Sequence, residues 1–148
     1  ILRTSWVYSM HGKNFLLTML RLAKERDELN VVDDQWGAPT WAGWIALATD
    51  DMIRTIKRQG LETHGLYNFV NSGITSWYGF AQEIFIQSAQ IGLLRASPTL
   101  KAITSREYPT LAKRPINSML NTDKITNFLP ILGEPWQKSL NRCLTAGI

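Results

Sequence analysis

The sequence predicts an α/β fold. Short apolar segments with strand character alternate with segments of helical periodicity, and glycines or prolines separate most of them. The length of 148 residues, with 45% hydrophobic and 19% charged residues, is typical of one globular domain with a sizeable core. The predicted strands are too few for a complete doubly wound sheet, so they correspond to part of one.

The first half of the chain predicts two strands and two helices. Residues 1–8 predict a strand that ends in the loop SMHGK. Apolar residues at helical spacing predict a helix from Asn14 to about Leu29, with the charged run KERDE on its solvated face. The segment NVVDD predicts a short strand. Pro39 and Thr40 indicate the start of a second helix, which Thr40 is expected to cap.

The second half is more broken. The segment LYNFV predicts a buried strand, and Thr75 or Ser76 is expected to cap a third helix. The aromatic pairs Trp41/Trp44 and Trp77/Phe80 have helical spacing and predict packing of helix against sheet. Further elements are predicted as strands around Leu100–Ile103 and Ser118–Leu120, and as helices near Asp123–Phe128 and Trp136–Leu144.

Composition restricts the class of partner. The single cysteine, Cys143, excludes an internal disulfide framework, fits a reducing cytoplasm and is expected to be a small core residue. Two distant histidines with one cysteine do not predict a metal site. The net charge of +4 favours an anionic partner such as a phosphorylated metabolite. Without a basic run interleaved with aromatics or a long apolar run, neither nucleic acid nor a membrane is predicted as a partner.

The sequence contains no recognisable catalytic motif. A GxSxG elbow, a CxxC pair, an HExxH motif, a phosphate loop and a Gly-rich dinucleotide fingerprint are all missing from these residues. No catalytic residue is therefore predicted within this chain.

Five strings of residues resemble one family. They are RTSWVYS, G-x-NF-xx-TMLRLA-x-ER, VVDDQWGAPTWA, TSWYGFAQEIF and TSREYPTLAKRPINSML. In this order and spacing they resemble the carboxy-terminal half of the dTDP-4-dehydrorhamnose reductases, a family of extended short-chain dehydrogenases/reductases. The similarity runs in register from Ile1 to about Leu140.

The resemblance implies a fold and an activity. It implies the last parallel strands of a Rossmann-like sheet plus a small mixed α/β substrate-binding domain, with residues 1–148 as the nucleotide-sugar-binding portion of a larger reductase. The family's Rossmann part, with its Gly-rich loop and catalytic Tyr-x-x-x-Lys pair, is expected outside this sequence, so these residues alone are expected to be inactive. Ile1 would then lie within a strand of the family's sheet.

The same resemblance implies ligands and partners. The family reduces dTDP-4-dehydro-6-deoxy-L-mannose to dTDP-L-rhamnose with NADPH or NADH, which the Rossmann part mainly binds. A dTDP-sugar, that second half and a cytoplasmic location are expected, and a homodimer is left open.

Five residues are predicted to bind the substrate. By residue type alone, Trp6 is equally a core residue; the resemblance favours an indole against the deoxysugar, with its N–H toward a hydroxyl. Asn14 and Phe15 open a helix, where an amide and free N–H groups suit a diphosphate or a base edge, although Asn14 is equally a plain N-cap. The resemblance implies that Gln35 lies in a loop that borders the nucleotide. Arg114 is the candidate for the diphosphate, because a guanidinium donates two parallel hydrogen bonds to a phosphate.

Two residues are predicted to contact the cofactor. By the resemblance, the stretch containing Thr4 and Ser5 passes under the nicotinamide, although both are equally ordinary strand residues. Lys113, beside Arg114, is left open as a second cation.

Two alternatives remain at this point. The same superfamily contains a non-catalytic relative, the regulatory subunit of methionine adenosyltransferase, which uses the fold for protein binding. A reductase or epimerase of another nucleotide sugar is the third interpretation. An intact Tyr-x-x-x-Lys pair and Gly-rich loop in the preceding sequence would favour catalysis, and their loss would favour binding.

Overall fold

The computed structural model describes residues 1–60, 64–110, 112, 114–129 and 133–146. Strands and helices alternate, which confirms the α/β class. The strands are β1 (Leu2–Arg3), β2 (Val7–Tyr8), β3 (Glu28–Val32), β4 (Trp36–Gly37), β5 (Thr40–Trp41), β6 (Tyr67–Asn68), β7 (Thr75–Ser76) and β8 (Thr99–Ile103). The helices are α1 (Phe15–Glu25), α2 (Ala42–Gln59), α3 (Trp77–Gln90), α4 (Asp123–Phe128) and α5 (Trp136–Ala146).

The described strands form four two-stranded sheets. Three pairs are parallel: β1 with β6, β2 with β5 and β3 with β8. The fourth pair, β4 with β7, is antiparallel. The parallel partners are far apart in sequence, as parallel pairing requires, and helices fill the connections between them. No helix in the described part of the chain is both long and apolar enough to cross a membrane.

The predicted strand over residues 1–8 is wrong as a single element. Trp6 has a φ of 49°, in the left-handed region that bulky residues rarely adopt. The backbone therefore changes direction at Trp6, and the two flanking pieces pair with different strands. Alternation of side chains along the segment cannot reveal this turn, because tertiary contacts hold it.

Two of the three predicted helix starts are confirmed. The Asn14 Oδ1 accepts from the Leu17 N–H at 3.1 Å, and the Ser76 Oγ accepts from the Gly79 N–H at 3.0 Å. Thr40 as a cap is wrong: its hydroxyl donates to the Ala38 carbonyl. Trp41 precedes α2 instead, and its N–H donates to a side chain distant in sequence.

One predicted boundary and one predicted strand are also wrong. The first helix ends at Glu25 rather than near Leu29, because residues 28–32 are extended and pair with β8. Ser118–Leu120 is not a strand: the neighbouring Asn117 forms an isolated bridge with Trp36, and the Ser118 N–H donates to the Trp36 carbonyl at 2.9 Å. The helix at 123–128 and the last helix are confirmed, and the last extends to Ala146.

Two apolar clusters form the described core. The larger one gathers residues of α1, α3, α5, β2 and β3, among them Leu16, Phe80, Ile84 and Leu140. Cys143 belongs to it, which confirms the prediction of a small core residue, and burial raises the pKa of its thiol to about 11. The smaller cluster packs α2 and α4 against β6.

Asn71 joins three segments through its buried amide. Its Oδ1 accepts from the Trp41 N–H at 3.0 Å, at the start of α2. Its Nδ2 donates to the Glu134 carbonyl at 2.9 Å and to the Ser139 hydroxyl at 2.7 Å, before and within α5. Both ends of the amide are therefore satisfied inside the protein, and one side chain connects α2 to α5.

The carboxylate of Glu134 completes this network. It is buried, and its Oε2 accepts from the Ser139 hydroxyl at 2.9 Å. Its Oε1 lies 3.2 Å from Arg142 and 3.4 Å from Lys138, both on α5. These cations offset the cost of burying the negative charge and hold the start of α5 in place.

We expect Asn71→Ala to lower the free energy of unfolding by about 2–4 kcal/mol, because buried N–H and hydroxyl groups lose their partner. Urea denaturation of the purified protein measures this. Asn141→Ala, on the exposed face of α5, is the control and should change stability by less than about 0.5 kcal/mol. A loss below about 1 kcal/mol for Asn71→Ala would contradict its connecting role.

Candidate functional site

A cleft formed by two adjacent cavities is the candidate site. The first has a volume of about 410 Å³ and the second of about 250 Å³. Gln35, Trp77 and Arg114 line both cavities, so the two are parts of one continuous cleft. Together they have the size of a small-molecule site.

The first cavity lies between α1 and β3, with the loop after β8 on its outer side. Apolar side chains of α1 and β3, among them Phe15, Met19 and Val31, form the inner wall. The exposed Tyr108 and Thr110 form the outer wall. This cavity is mainly apolar, with polar groups at its margin.

The second cavity is lined by two indoles. The rings of Trp6 and Trp77 are stacked with centroids 3.6 Å apart and an interplanar angle of 5°. Pro115 and Ser118 complete the wall, and the exposed Arg114 lies at the junction with the first cavity. None of the ion pairs in the described part of the chain involves Arg114, so its guanidinium is available for an anionic ligand.

Trp6 occupies a costly backbone conformation. The left-handed region costs a residue with a Cβ about 1–2 kcal/mol. The indole stack on Trp77 offsets about 0.5–1.5 kcal/mol of this, and the indole N–H donates to the Ser118 Oγ at 2.9 Å, which offsets a similar amount. Such strain persists where surrounding contacts determine the conformation, and it concentrates at ligand sites.

The indole N–H of Trp6 donates to the Ser118 Oγ at 2.9 Å in this structure. Its predicted hydrogen bond to a ligand hydroxyl stays a prediction. Trp6 lies in the wall of the second cavity, which is consistent with the expected position beside a cleft. Its contact with a sugar remains a prediction.

The structure brings together most of the predicted substrate residues. Trp6, Phe15, Gln35 and Arg114 all line the cleft. Asn14 is not among the lining residues: besides capping α1, its Nδ2 donates to the carbonyls of Ser9 at 2.9 Å and His11 at 3.1 Å. The whole amide is therefore used within the protein, and a ligand contact by Asn14 stays a prediction. Lys113 lies outside the described residues.

Trp77 is one of several lining residues that sequence analysis does not predict. It packs against the larger core cluster, as predicted, and also faces the cleft. It lines both cavities, stacks on Trp6 and lies 4.7 Å from the Phe15 ring by centroids. A signal existed in the sequence: Phe15 and Trp77 each follow a capping residue directly and open a helix. Side chains on a helix tilt toward its N-terminus, so those of the first residues reach beyond the helix start.

Thr4 and Ser5 lie apart from the cleft lining, between β1 and Trp6. Their hydroxyl oxygens are buried and have no hydrogen-bond partner among the described residues. A buried hydroxyl is normally satisfied, so these two groups fit the predicted contact with a polar cofactor. That contact is untested and stays a prediction.

The buried hydroxyl of Tyr8 also lacks a described partner. Burial raises its pKa above the ordinary range, and nearby Cys143 and Glu134 raise it further. Tyr8 is packed in the larger core cluster and lines neither cavity, so it remains a neutral core residue.

Two acidic side chains shape the loop after β8. Asp34 accepts from both the backbone N–H and the hydroxyl of Ser105, each at 2.9 Å. Glu107 accepts from the backbone N–H and the hydroxyl of Thr104, each at 2.8 Å. These bonds hold the loop against the end of β3, which places Tyr108 beside the first cavity.

The sequence matches the family described as "RmlD substrate binding domain" over residues 1–147. The chain belongs to this family. The match confirms the resemblance on which the predicted fold and ligand class were based.

Curated relatives share this similarity. The chain is 44% identical to the dTDP-4-dehydrorhamnose reductase of Escherichia coli K12, over 97% of this chain and 48% of that protein. It is 38% identical to the spore coat polysaccharide biosynthesis protein SpsK of Bacillus subtilis, over 97% of this chain and 46% of that protein. The chain therefore spans about half the length of the curated relatives it matches.

Solved structures of other proteins have a similar fold. The crystal structure of dTDP-4-dehydrorhamnose reductase from Bacillus anthracis, in complex with NADP, superposes with a TM-score of 0.82 at 31% identity, over 99% of this chain and 48% of that one. A UDP-glucuronic acid 4-epimerase from Bacillus cereus superposes with a TM-score of 0.60 at 16% identity, over 99% of this chain and 44% of that one, and shows the common fold alone.

The contact between Asp34 and Ser105 predicts a pH dependence. Chiefly the Ser105 backbone N–H, and then its hydroxyl, lower the pKa of Asp34 in the folded state. The stabilisation is thus fully present above the unfolded value, about 3.9, and is lost as the pH falls through the lowered folded value. We expect the carboxyl carbon of Asp34 to titrate below pH of about 3.9 by NMR.

Ser105→Ala should move the Asp34 midpoint partly back toward its ordinary value, because the backbone N–H bond remains. Ser97→Ala, at an exposed position outside the cleft, should leave the midpoint unchanged. An Asp34 midpoint at or above its ordinary value would contradict the contact.

Proposed function

We propose that this chain is the nucleotide-sugar-binding part of a dTDP-4-dehydrorhamnose reductase, which reduces dTDP-4-dehydro-6-deoxy-L-mannose to dTDP-L-rhamnose. The observation that supports it is the two-part cleft with Arg114 at the junction, in a chain of the RmlD substrate binding domain family. The 44% identity to the Escherichia coli reductase supports this substrate over another nucleotide sugar. In this proposal, residues 1–148 form the substrate portion of a larger protein.

The chemistry of the lining suits a dTDP-sugar. A nucleoside diphosphate sugar has a flat base, two negative phosphates and a sugar ring with an apolar face. The aromatic walls of the cleft suit the base and that face, because ring carbons pack against C–H groups. Arg114 lies where the two cavities meet, so its guanidinium can donate to the diphosphate between base and sugar.

The proposed cofactor is NADPH or NADH. When bound, it supplies the hydride that reduces the sugar ketone at C4. The Bacillus anthracis relative is in complex with NADP. Thr4 and Ser5 are the residues of this chain that would contact it, because their buried hydroxyls have no described partner. A second, dinucleotide-binding domain would provide most of the cofactor site and the proton donor.

The activity itself is directly testable. We expect the full-length protein to oxidise NADPH or NADH when given dTDP-4-dehydro-6-deoxy-L-mannose, measured at 340 nm, with dTDP-L-rhamnose as product by mass spectrometry. Residues 1–148 alone are the control and should show no turnover. A full-length protein that binds dTDP-sugar but never oxidises the cofactor would favour the binding-subunit alternative.

Arg114 gives a second test of the site. We expect Arg114→Ala to weaken dTDP binding by about 1.5–3 kcal/mol in calorimetry, because a charge-assisted hydrogen bond to phosphate is lost. Arg114→Lys should recover part of this, since lysine keeps the charge without the two-pronged geometry.

Arg95→Ala is the matched control, because Arg95 is exposed on the loop after α3 and lies outside the cleft lining. The same dTDP affinity in Arg114→Ala and Arg95→Ala would remove Arg114 from the binding site.

Location and assembly complete the proposal. A cytoplasmic location is consistent with an NAD(P)H-dependent biosynthetic enzyme that carries one reduced thiol. A homodimer is the assembly left open by the resemblance. Size-exclusion chromatography with light scattering measures the oligomeric state.

A further inference from the structure

The orientation of the Trp6 indole is fixed from three sides. One ring face lies on Trp77 at 3.6 Å by centroids. The indole N–H donates to the Ser118 Oγ at 2.9 Å. Gly37 lies beside the nitrogen of the ring, and an added Cβ there would come 2.6 Å from the indole Nε1 and 2.8 Å from the Ser118 Oγ.

Ser118 is itself held in one orientation. Its backbone N–H and its hydroxyl both donate to the Trp36 carbonyl, each at 2.9 Å. Because the hydroxyl hydrogen is directed to Trp36, an oxygen lone pair faces the Trp6 N–H. Ser118 therefore acts as a fixed acceptor attached to β4, and Trp36 is the neighbour of Gly37 on the same strand.

The absence of a side chain at Gly37 is a condition for this hydrogen bond. A Cβ contact below 3.0 Å forces a neighbour to move, and the atoms concerned are the donor and the acceptor of one bond. Gly37 has no positive φ, so backbone freedom is not the reason for glycine here. The reason is the space that the indole occupies.

We propose that Ser118 and Gly37 are positioning residues for Trp6, which together keep its indole N–H out of the second cavity and its ring carbons in the cavity wall. The proposal rests on the proposed function for the identity of the ligand, the sugar of a dTDP-sugar. Its consequence is that Trp6 offers the ligand an apolar wall without a hydrogen-bond donor. Ser118 and Gly37 affect binding through the indole.

The first measurement concerns the hydrogen bond and needs no ligand. The indole N–H of Trp6 is identified in the NMR spectrum of the full-length protein as the signal lost in Trp6→Phe. We expect its exchange with solvent to become at least about tenfold faster in Ser118→Ala and in Gly37→Ala. Ser118→Thr keeps the hydroxyl and should retain slow exchange, and Ser97→Ala is the control at an exposed serine.

The second measurement concerns the ligand. We expect Ser118→Ala and Gly37→Ala to raise the KM for the nucleotide sugar about five- to twentyfold with kcat within about twofold, because orientation of the wall affects binding in the ground and transition states alike. The KM for the cofactor should not change, and Ser118→Thr should restore the sugar KM. A role of Ser118 in stability alone would not produce this separation of KM from kcat.

Two results would overturn the proposal. Unchanged N–H exchange in Ser118→Ala would show that Ser118 does not hold the indole. Faster exchange with an unchanged sugar KM would show that the orientation of Trp6 does not matter to the ligand. A wild-type protein that shows slow exchange but reduces no dTDP-4-dehydro sugar would instead refute the proposed function. If Gly37→Ala fails to fold, the Ser118 variants decide alone.

Discussion

The conformation of Trp6 is the constraint on which the cleft depends. Because the backbone of Trp6 is in the left-handed region, the chain turns after β1, and β2 pairs with a different partner strand. The same turn directs the indole onto Trp77 and toward Ser118. One unfavourable backbone geometry therefore takes the chain from one sheet to another and places the indole in the wall of the second cavity. The stack and the hydrogen bond offset its cost, so the strain is confined to the cleft.

The rest of the molecule supports this wall from a distance. Ser76 caps α3 and also donates to Asp33 at 2.5 Å, at the end of β3, which fixes Trp77 relative to the first cavity. On the other side, the Asn71 amide connects α2 and α5. Phe15 and Trp77 are each the first residue of a helix held by a capping side chain, and Trp6 stacks on Trp77, so the aromatic walls are built on rigid elements.

Local chemistry made some elements predictable from the sequence. The caps at Asn14 and Ser76 need only a polar side chain two or three residues before a free N–H, so the sequence carries the whole signal. The end of α1 and the cap of α2 could not be predicted in this way. Residues 28–32 become extended because β8 pairs with them, and Asn71 replaces Thr40 at the start of α2. The same limit applies to the site: Arg114 and Trp6 were predicted from residue type and resemblance. For Trp77 the sequence shows a position at a helix start, but its stack on Trp6 is a tertiary contact that the sequence does not show.

The parallel pairings have a consequence for how the chain is made. Val7 finds its partner Thr40 only after the segment that forms α1 has been synthesised, and Leu2 must wait for Tyr67. The entropy of closing such long loops is lost before any sheet contact compensates for it, so folding should be slow relative to a helical bundle of the same size. During synthesis on the ribosome β1 and β2 would emerge before β6 and β5, so the edges that these partners cover would be unpaired for a time, and chaperones bind such edges.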